Sequence, residues 1–261
     1  MTDLRAESDL SRRKLAILLT GMTCCALFLR LLHLYFEPVL SRDSIFYIEV
    51  CRVWASGCFA DVYQVFPEVW IPPLFLYLLK TMIKCGANPE IAGFVFNLIL
   101  GIALVPLAYF FARGLQFSRR CSLWAGALAM MHPRLIELSI QVQRENLYLV
   151  LLFLAAIFLI YGSLRKQVWL IVWSAAFFAL SVLTRYEALE MCPAVFLVFL
   201  LRIRQKKLSF REAFLFIALW TVVFGVVFAG VILLTGTTQV LGGAFVKYRS
   251  QLLWLNCLFR S

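Results

Sequence analysis

Charge is scarce in this chain. Only 15% of its 261 residues are Asp, Glu, Lys or Arg, while 63% are hydrophobic. Soluble domains carry roughly a quarter charged and about half apolar residues, so this apolar excess must face something other than water. That excludes a cytosolic enzyme of this size, a secreted disulfide scaffold and a disordered chain. Histidine is scarcer still. The two present, His33 and His132, have no second metal ligand at a recognisable spacing. The sequence has no Gly-rich phosphate loop, no Walker pattern and no nucleophile elbow, and so no sign of the chemistries those motifs serve. No small-x-small cleavage site follows the first apolar run, which is therefore read as a retained anchor and not as a signal peptide.

Cysteine is present eight times but forms no metal pattern. Cys24, Cys25 and Cys192 lie in apolar runs, and Cys85, Cys121 and Cys257 are scattered. Cys51 and Cys58 share one polar segment and would be able to pair in an oxidising compartment; inert thiols are the default.

The apolar stretches are long instead of patterned. At about 20 residues per span they suffice for about seven transmembrane helices. The expected spans are 15–35, 91–111, 121–142 with a kink at Pro133, 146–164, 168–183, 188–201 and 213–235. Arg30 and His33 are expected to snorkel to the interface from the end of the first. Residues 71–83 open with Pro72-Pro73 and contain Lys80. At 1.5 Å per residue they fall short of a core of about 30 Å, so they are expected to be an interfacial or re-entrant helix. The fold class expected is an all-α polytopic membrane protein with short juxtamembrane helices in one large loop, 36–90.

The net charge of +11 then has a topological meaning. The N-terminal tail and the connections after the second, fourth and sixth spans hold 14 basic and 4 acidic residues; the remainder holds 11 and 10. Lys and Arg collect on the cytoplasmic side, so the N-terminus is expected inside, and the basic excess calls for no nucleic-acid partner. The 36–90 loop, the 141–146 turn, the 184–187 turn and the C-terminal tail then share the outer face.

Three polar groups stand there. Asp43 follows Ser41-Arg42 at the start of an amphipathic stretch whose apolar face is 46, 50, 53 and 54; it would serve as a helix N-cap or as a general base at the membrane surface. Gln141-Val142-Gln143-Arg144-Glu145-Asn146 forms the second group, with Arg134 and Glu137 upstream at membrane depth, where charges line cavities or pair. In the third, Thr184-Arg185-Tyr186-Glu187 with Glu190, Arg185 would hold a phosphate with its fork of donors or form a salt bridge with Glu187 or Glu190.

The order of these motifs resembles the bacterial lipid-linked-sugar glycosyltransferases of the GT-C fold. The branch it is most similar to is that of protein O-mannosyltransferases, aminoarabinose transferases and lipopolysaccharide galacturonosyltransferases. The residues carrying the likeness are Arg42-Asp43-Ser44 and Tyr47, Pro72-Pro73-Leu74-Phe75, Pro133 leading to Arg144-Glu145-Asn146, and Leu183 to Glu187. The likeness runs from about Leu15 to Leu201. It implies a polyprenyl-phosphate sugar donor, a lipid, glycan or protein acceptor at the outer face of the inner membrane, and inversion at the anomeric carbon. The family's first-loop acid matches Asp43, and its second acidic position falls at Glu145. Two departures stand out: Ser44 follows Asp43 where many members have a second acid, and Arg144-Glu145 replaces an Asp.

Asp43 is then the expected base, Arg185 the leaving-group clamp, and Glu145 an orienter of Arg144 or of the acceptor. Arg42, Tyr47, Lys80, Glu187, Lys247 and Arg249 are further substrate-binding candidates. No cofactor is expected, and no metal. The expected organisation is a cytoplasmic tail (1–14), a transferase-like membrane domain (15–235) and an outer tail (236–261) that ends early for this family. Two rival readings remain at this point: a truncated, inactive member, or a non-enzymatic transporter or assembly protein, whose polar residues would line a path through the midplane.

Overall fold

The computed structural model describes residues 12–37, 40–57, 59–66 and 72–235. Among them every regular element is helical. In chain order these are α1 (Arg12–Phe36), α2 (Arg42–Ser56), α3 (Phe59–Val65), α4 (Pro73–Lys84), α5 (Pro89–Gly114), α6 (Arg119–Met131), α7 (Pro133–Ser139), α8 (Glu145–Arg165) and α9 (Val168–Val182). A 3₁₀ segment (Tyr186–Met191), α10 (Cys192–Arg204) and α11 (Phe210–Thr235) complete it.

Local chemistry sets these boundaries. Asn88 caps α5 by accepting from the amides of Glu90 (2.9 Å) and Ile91 (3.2 Å), with Pro89 as the first helical residue. Ser209 and Glu212 form a reciprocal capping box at α11, each accepting from the other's amide. Four helices end in the same left-handed turn. The residues at positive φ are Gly86, Gln116, Lys166 and Lys206, and the amide of the following residue reaches back to Met82, Ala112, Gly162 and Arg202 respectively.

Among the described residues, four helices are long and apolar enough to cross a membrane: α1, α5, α8 and α11. The expected count of seven is therefore corrected. The expected span 121–142 is not one kinked helix. α6 stops at Met131, the His132-Pro133 pair interrupts the ladder, α7 runs only to Ser139, and 140–144 leave helical geometry. The 13 residues of α6, 15 of α9 and 13 of α10 give about 20–22 Å of helix each at 1.5 Å per residue. α4, at 12 residues, is shorter still, as Pro72-Pro73 and its length lead one to expect.

α2 buries one face against protein. Its buried spine is Ser44, Tyr47, Ile48, Val50, Cys51 and Trp54, while Phe46 and Val53 are only half-buried. The spine packs on Phe75, Leu76 and Leu79 of α4 and on Phe59 and Val62 of α3. The three helices form a platform, tied to the membrane helices where the Leu74 amide donates to the Leu183 carbonyl at 3.0 Å. Cys51 is a free, buried thiol inside it, and burial pushes it up to about 12; Cys58 lies outside the described residues.

Arg30 does not snorkel. It is fully buried and donates to the Ser139 hydroxyl (2.9 Å) and to the carbonyls of Ala26 (3.0 Å) and Gly101 (3.1 Å). Two glycines of α5 make room for the chain that passes here. A Cβ on Gly101 would lie 1.9 Å from the Ser139 hydroxyl, and one on Gly93 would lie 2.5 Å from Val142.

Candidate active site

The site is assembled at one end of the bundle from three turns. The first is the start of α2, where Ser41 is the N-cap and accepts from the Ser44 amide at 3.2 Å. Asp43 therefore does not cap the helix, contrary to one of its two readings; it is an exposed carboxylate in the first turn. Tyr47 sits one turn further on, buried against Phe75.

The second turn, 140–144, follows α7 as an irregular segment and is pinned to the first. The Gln141 side-chain Oε1 accepts from the Ser41 backbone amide (2.7 Å) and the Ser44 hydroxyl (3.0 Å), and the Val142 backbone amide donates to the Ser44 hydroxyl (3.1 Å). The Gln143 side-chain Nε2 donates to the Ser41 hydroxyl at 3.0 Å. Both glutamine side chains thus reach the start of α2. Arg144 and Glu145 follow at once as α8 begins.

The third turn brings Arg185. Its Nη1 donates to Glu145 Oε1 at 3.2 Å and its Nε to Glu187 Oε2 at 3.5 Å, and the guanidinium lies 5.7 Å from the Tyr148 ring centroid. The salt bridge expected with Glu187 is present, but a second acid from a different turn shares the cation, while Glu190 is exposed. Burial opposes the Arg185 charge; the Glu187 hydrogen bond and the charges of Glu187 and Glu145 outweigh it and raise the pKa above the usual guanidinium value.

Tyr47 lies within the electrostatic field of these groups. Burial pushes its phenol above the ordinary range, and the fields of Glu145 and Asp43 add to this against the pull of Arg144 and Arg185. Four charged residues from all three turns thus act on one hydroxyl, which stays protonated at neutral pH. Glu145 Oε2 and Arg144 Nε are each buried without a hydrogen-bond partner among the described residues. A buried carboxylate oxygen and a buried guanidinium donor are both costly when unpaired, and both are suited to meeting a ligand.

Of the residues expected from sequence, Asp43, Tyr47, Arg144, Glu145, Arg185 and Glu187 are brought together. Arg42 is exposed beside Asp43. Lys80 is not in the cluster. Its ammonium lies 4.6 Å from the Trp54 ring centroid and 5.3 Å from that of Tyr77, a cation–π pocket on the platform. Lys247 and Arg249 lie outside the described residues. Arg134 and Glu137 do pair, at 2.7 Å, and both are exposed on α7. No group of three or more His, Cys, Asp or Glu stands ready for a metal ion among the described residues.

Sequence reasoning missed the roles of Ser41, Ser44, Gln141 and Gln143. The Ser-x-x-Ser at a helix start and the Gln-x-Gln after a helix break were the available signals.

An apolar cavity of about 310 Å³ lies between α5, α8, α9 and α10. Met191, at the end of the 3₁₀ segment that follows Arg185, and Ala156, Phe178 and Val195 are among its lining residues; Ser174 is its one polar contributor.

Comparison with known proteins adds a family. The family model described as dolichyl-phosphate-mannose-protein mannosyltransferase matches residues 71–233, well over half of the chain. No curated protein and no solved structure matches. The matched region contains Arg144, Glu145, Arg185 and Glu187 and begins after Asp43. With helices long and apolar enough to cross a membrane on both sides of the second and third turns, the chain belongs to the dolichyl-phosphate-mannose-protein mannosyltransferase family, a family of multi-pass, GT-C type membrane glycosyltransferases.

Proposed function

We propose that the chain transfers a sugar from a polyprenyl-phosphate donor to an acceptor hydroxyl at the outer face of the inner membrane, with its N-terminus in the cytoplasm and residues 15–235 as the transferase domain. The observation that carries this reading is the joining of three separate turns: Arg185 donates to Glu145 and Glu187, and the segment that leads into Glu145 is hydrogen-bonded to the start of α2, which bears Asp43. In the reaction the acceptor oxygen attacks the anomeric carbon. Its proton passes to the Asp43 carboxylate, the bond from that carbon to the phosphate oxygen breaks on the opposite side, and polyprenyl phosphate departs with the electron pair. Configuration is inverted. Arg185, with Arg144, neutralises the departing phosphate in a site partly shielded from water, where such charges count most. Glu145 holds Arg185 in place until donor arrives, and its unpartnered oxygen faces Arg144 or the acceptor.

A lipid-borne donor is supported by the apolar cavity between α5, α8, α9 and α10, which Met191 at the end of the 3₁₀ segment helps to line, since an isoprenoid chain needs apolar lining. The sorting of charge supports the outer face, because turns assigned to that side touch one another while the basic turns gather at the other end. There Lys166 reaches Glu212 at 2.9 Å.

The test is incubation of the purified chain with radiolabelled polyprenyl-phosphate sugars and a panel of lipid and peptide acceptors. Labelled product that disappears in the Asp43→Asn variant supports the reading. Product formed equally well from a sugar nucleotide without lipid overturns it.

A further inference from the structure

Arg30 is a fully buried charge in α1 and has no part in the chemistry above. Among the described residues it has no acidic partner. An intramembrane charge held only by neutral oxygens is retained where it serves a function. Its fork binds three separate helices: Ala26 in its own α1, Gly101 in α5 and Ser139 in α7.

The Ser139 hydroxyl is saturated. It accepts from Arg30 Nε at 2.9 Å and from Asn146 Nδ2 at 3.5 Å, and it donates to the Leu135 carbonyl. Asn146 is itself fully buried, reaches the Asn97 carbonyl at 3.3 Å, and is the residue next to Glu145. Gly101 is what lets the arrangement close, because any side chain there would occupy the position of the Ser139 hydroxyl.

We propose that Arg30 is a positioning residue of the transferase site. Through Ser139 and Asn146 it fixes the α7–α8 junction so that Glu145 meets Arg185. This rests on the reading of Glu145 and Arg185 as site residues. Arg185 itself hangs from the end of α9, which Arg30 does not touch, so loosening Arg30 displaces Glu145 and leaves the phosphate clamp in place.

The experiment compares Arg30→Met, Arg30→Lys, Ser139→Ala, the Arg30→Met/Ser139→Ala pair and Glu145→Gln. Turnover is measured per folded, monodisperse protein in detergent, with a polyprenyl-phosphate sugar as donor. Amide hydrogen exchange is followed at 141–147 and at 186–191, which requires no substrate. Ser139→Ala keeps the two carbonyl contacts of Arg30 and so reports even where Arg30→Met fails to fold. The expected result is a kcat about tenfold lower in Arg30→Met and Ser139→Ala with the donor KM within twofold. Exchange should be about tenfold faster at 141–147 alone, and the pair should lose no more than the worse single variant.

A merely structural Arg30 lowers the folded fraction but leaves kcat per folded molecule and exchange at 141–147 unchanged, and that result overturns the proposal. So does unchanged exchange at 141–147 in a preparation with no turnover. If Glu145→Gln is impaired while Ser139→Ala is not, the positioning role alone fails. If Glu145→Gln turns over normally, the reading of the site fails first.

Discussion

Because Ser41 and not Asp43 caps α2, the Asp43 charge can be removed without touching the cap. Asp43→Asn keeps the size of the side chain and leaves the Ser41–Ser44–Gln141 bonds intact. If Asp43 takes the acceptor proton, Asp43→Asn lowers kcat by about 100-fold or more at unchanged thermal stability; a rate within a few-fold of wild type removes it from the reaction. Arg185 separates charge from geometry. Its fork serves Glu145 and Glu187 at once, so Arg185→Lys keeps the charge and loses the two-pronged contact. Arg185→Ala should cost about 100-fold in kcat, within the range for losing one charge-stabilising donor, and Arg185→Lys distinctly less. Equal losses in the two variants, measured on the same donor, would show that the positive charge contributes nothing beyond the fork.

At the scale of elements, the α7–α8 junction and the start of α2 behave as one unit. A helix broken at His132-Pro133 and again at Ser139 leaves residues 140–144 outside helical geometry, and their backbone and glutamines then find partners in two serines at the start of another helix. An unbroken span through 121–142 would have carried these groups past the site. Packing on α5 enforces the path, and its glycines make that testable. Gly101→Ala puts a methyl where the Ser139 hydroxyl lies and should cost about 1–3 kcal/mol as overpacking. Gly225→Ala in α11 meets nothing within 4 Å and should be neutral or stabilising by up to about 1 kcal/mol, since alanine is the better helix former. Thermal unfolding in detergent compares the two; equal midpoints would mean α5 is not held close to α7.

For the whole molecule, the charge sorting predicts which native thiols an impermeant reagent meets. Cys85, in the turn after α4, and Cys121, at the start of α6, are both exposed and belong to opposite ends. A membrane-impermeant maleimide applied to intact cells should modify Cys85 and spare Cys121, with both modified after lysis, read by peptide mapping. Cys51 should stay unmodified in the folded protein either way, because it is buried and its thiol titrates at about 12. Labelling of Cys121 alone in intact cells would invert the orientation and move the three site turns to the cytoplasmic face.

What the sequence determined by itself follows from local rules. Composition required a membrane, Pro72-Pro73 and a short apolar run kept α4 from being a span, and the uneven spread of Lys and Arg grouped the three polar turns on one side. Those features depend on residue type and spacing within a few turns of chain, and a reader can count them. Tertiary structure decided what no spacing encodes. Asp43 gave the cap to Ser41, two residues earlier, because that hydroxyl, and not the carboxylate, sits where the first-turn amides and the Gln143 side chain converge. Arg30 turned inward instead of snorkelling because Ser139, 109 residues later in the chain, and the Gly101 carbonyl supplied acceptors that the bilayer lacks. Lys80 settled over Trp54 and Tyr77 and away from the acids. Each of these outcomes turns on a hydrogen bond or ring contact between segments far apart in sequence, and such contacts exist only once the helices have packed.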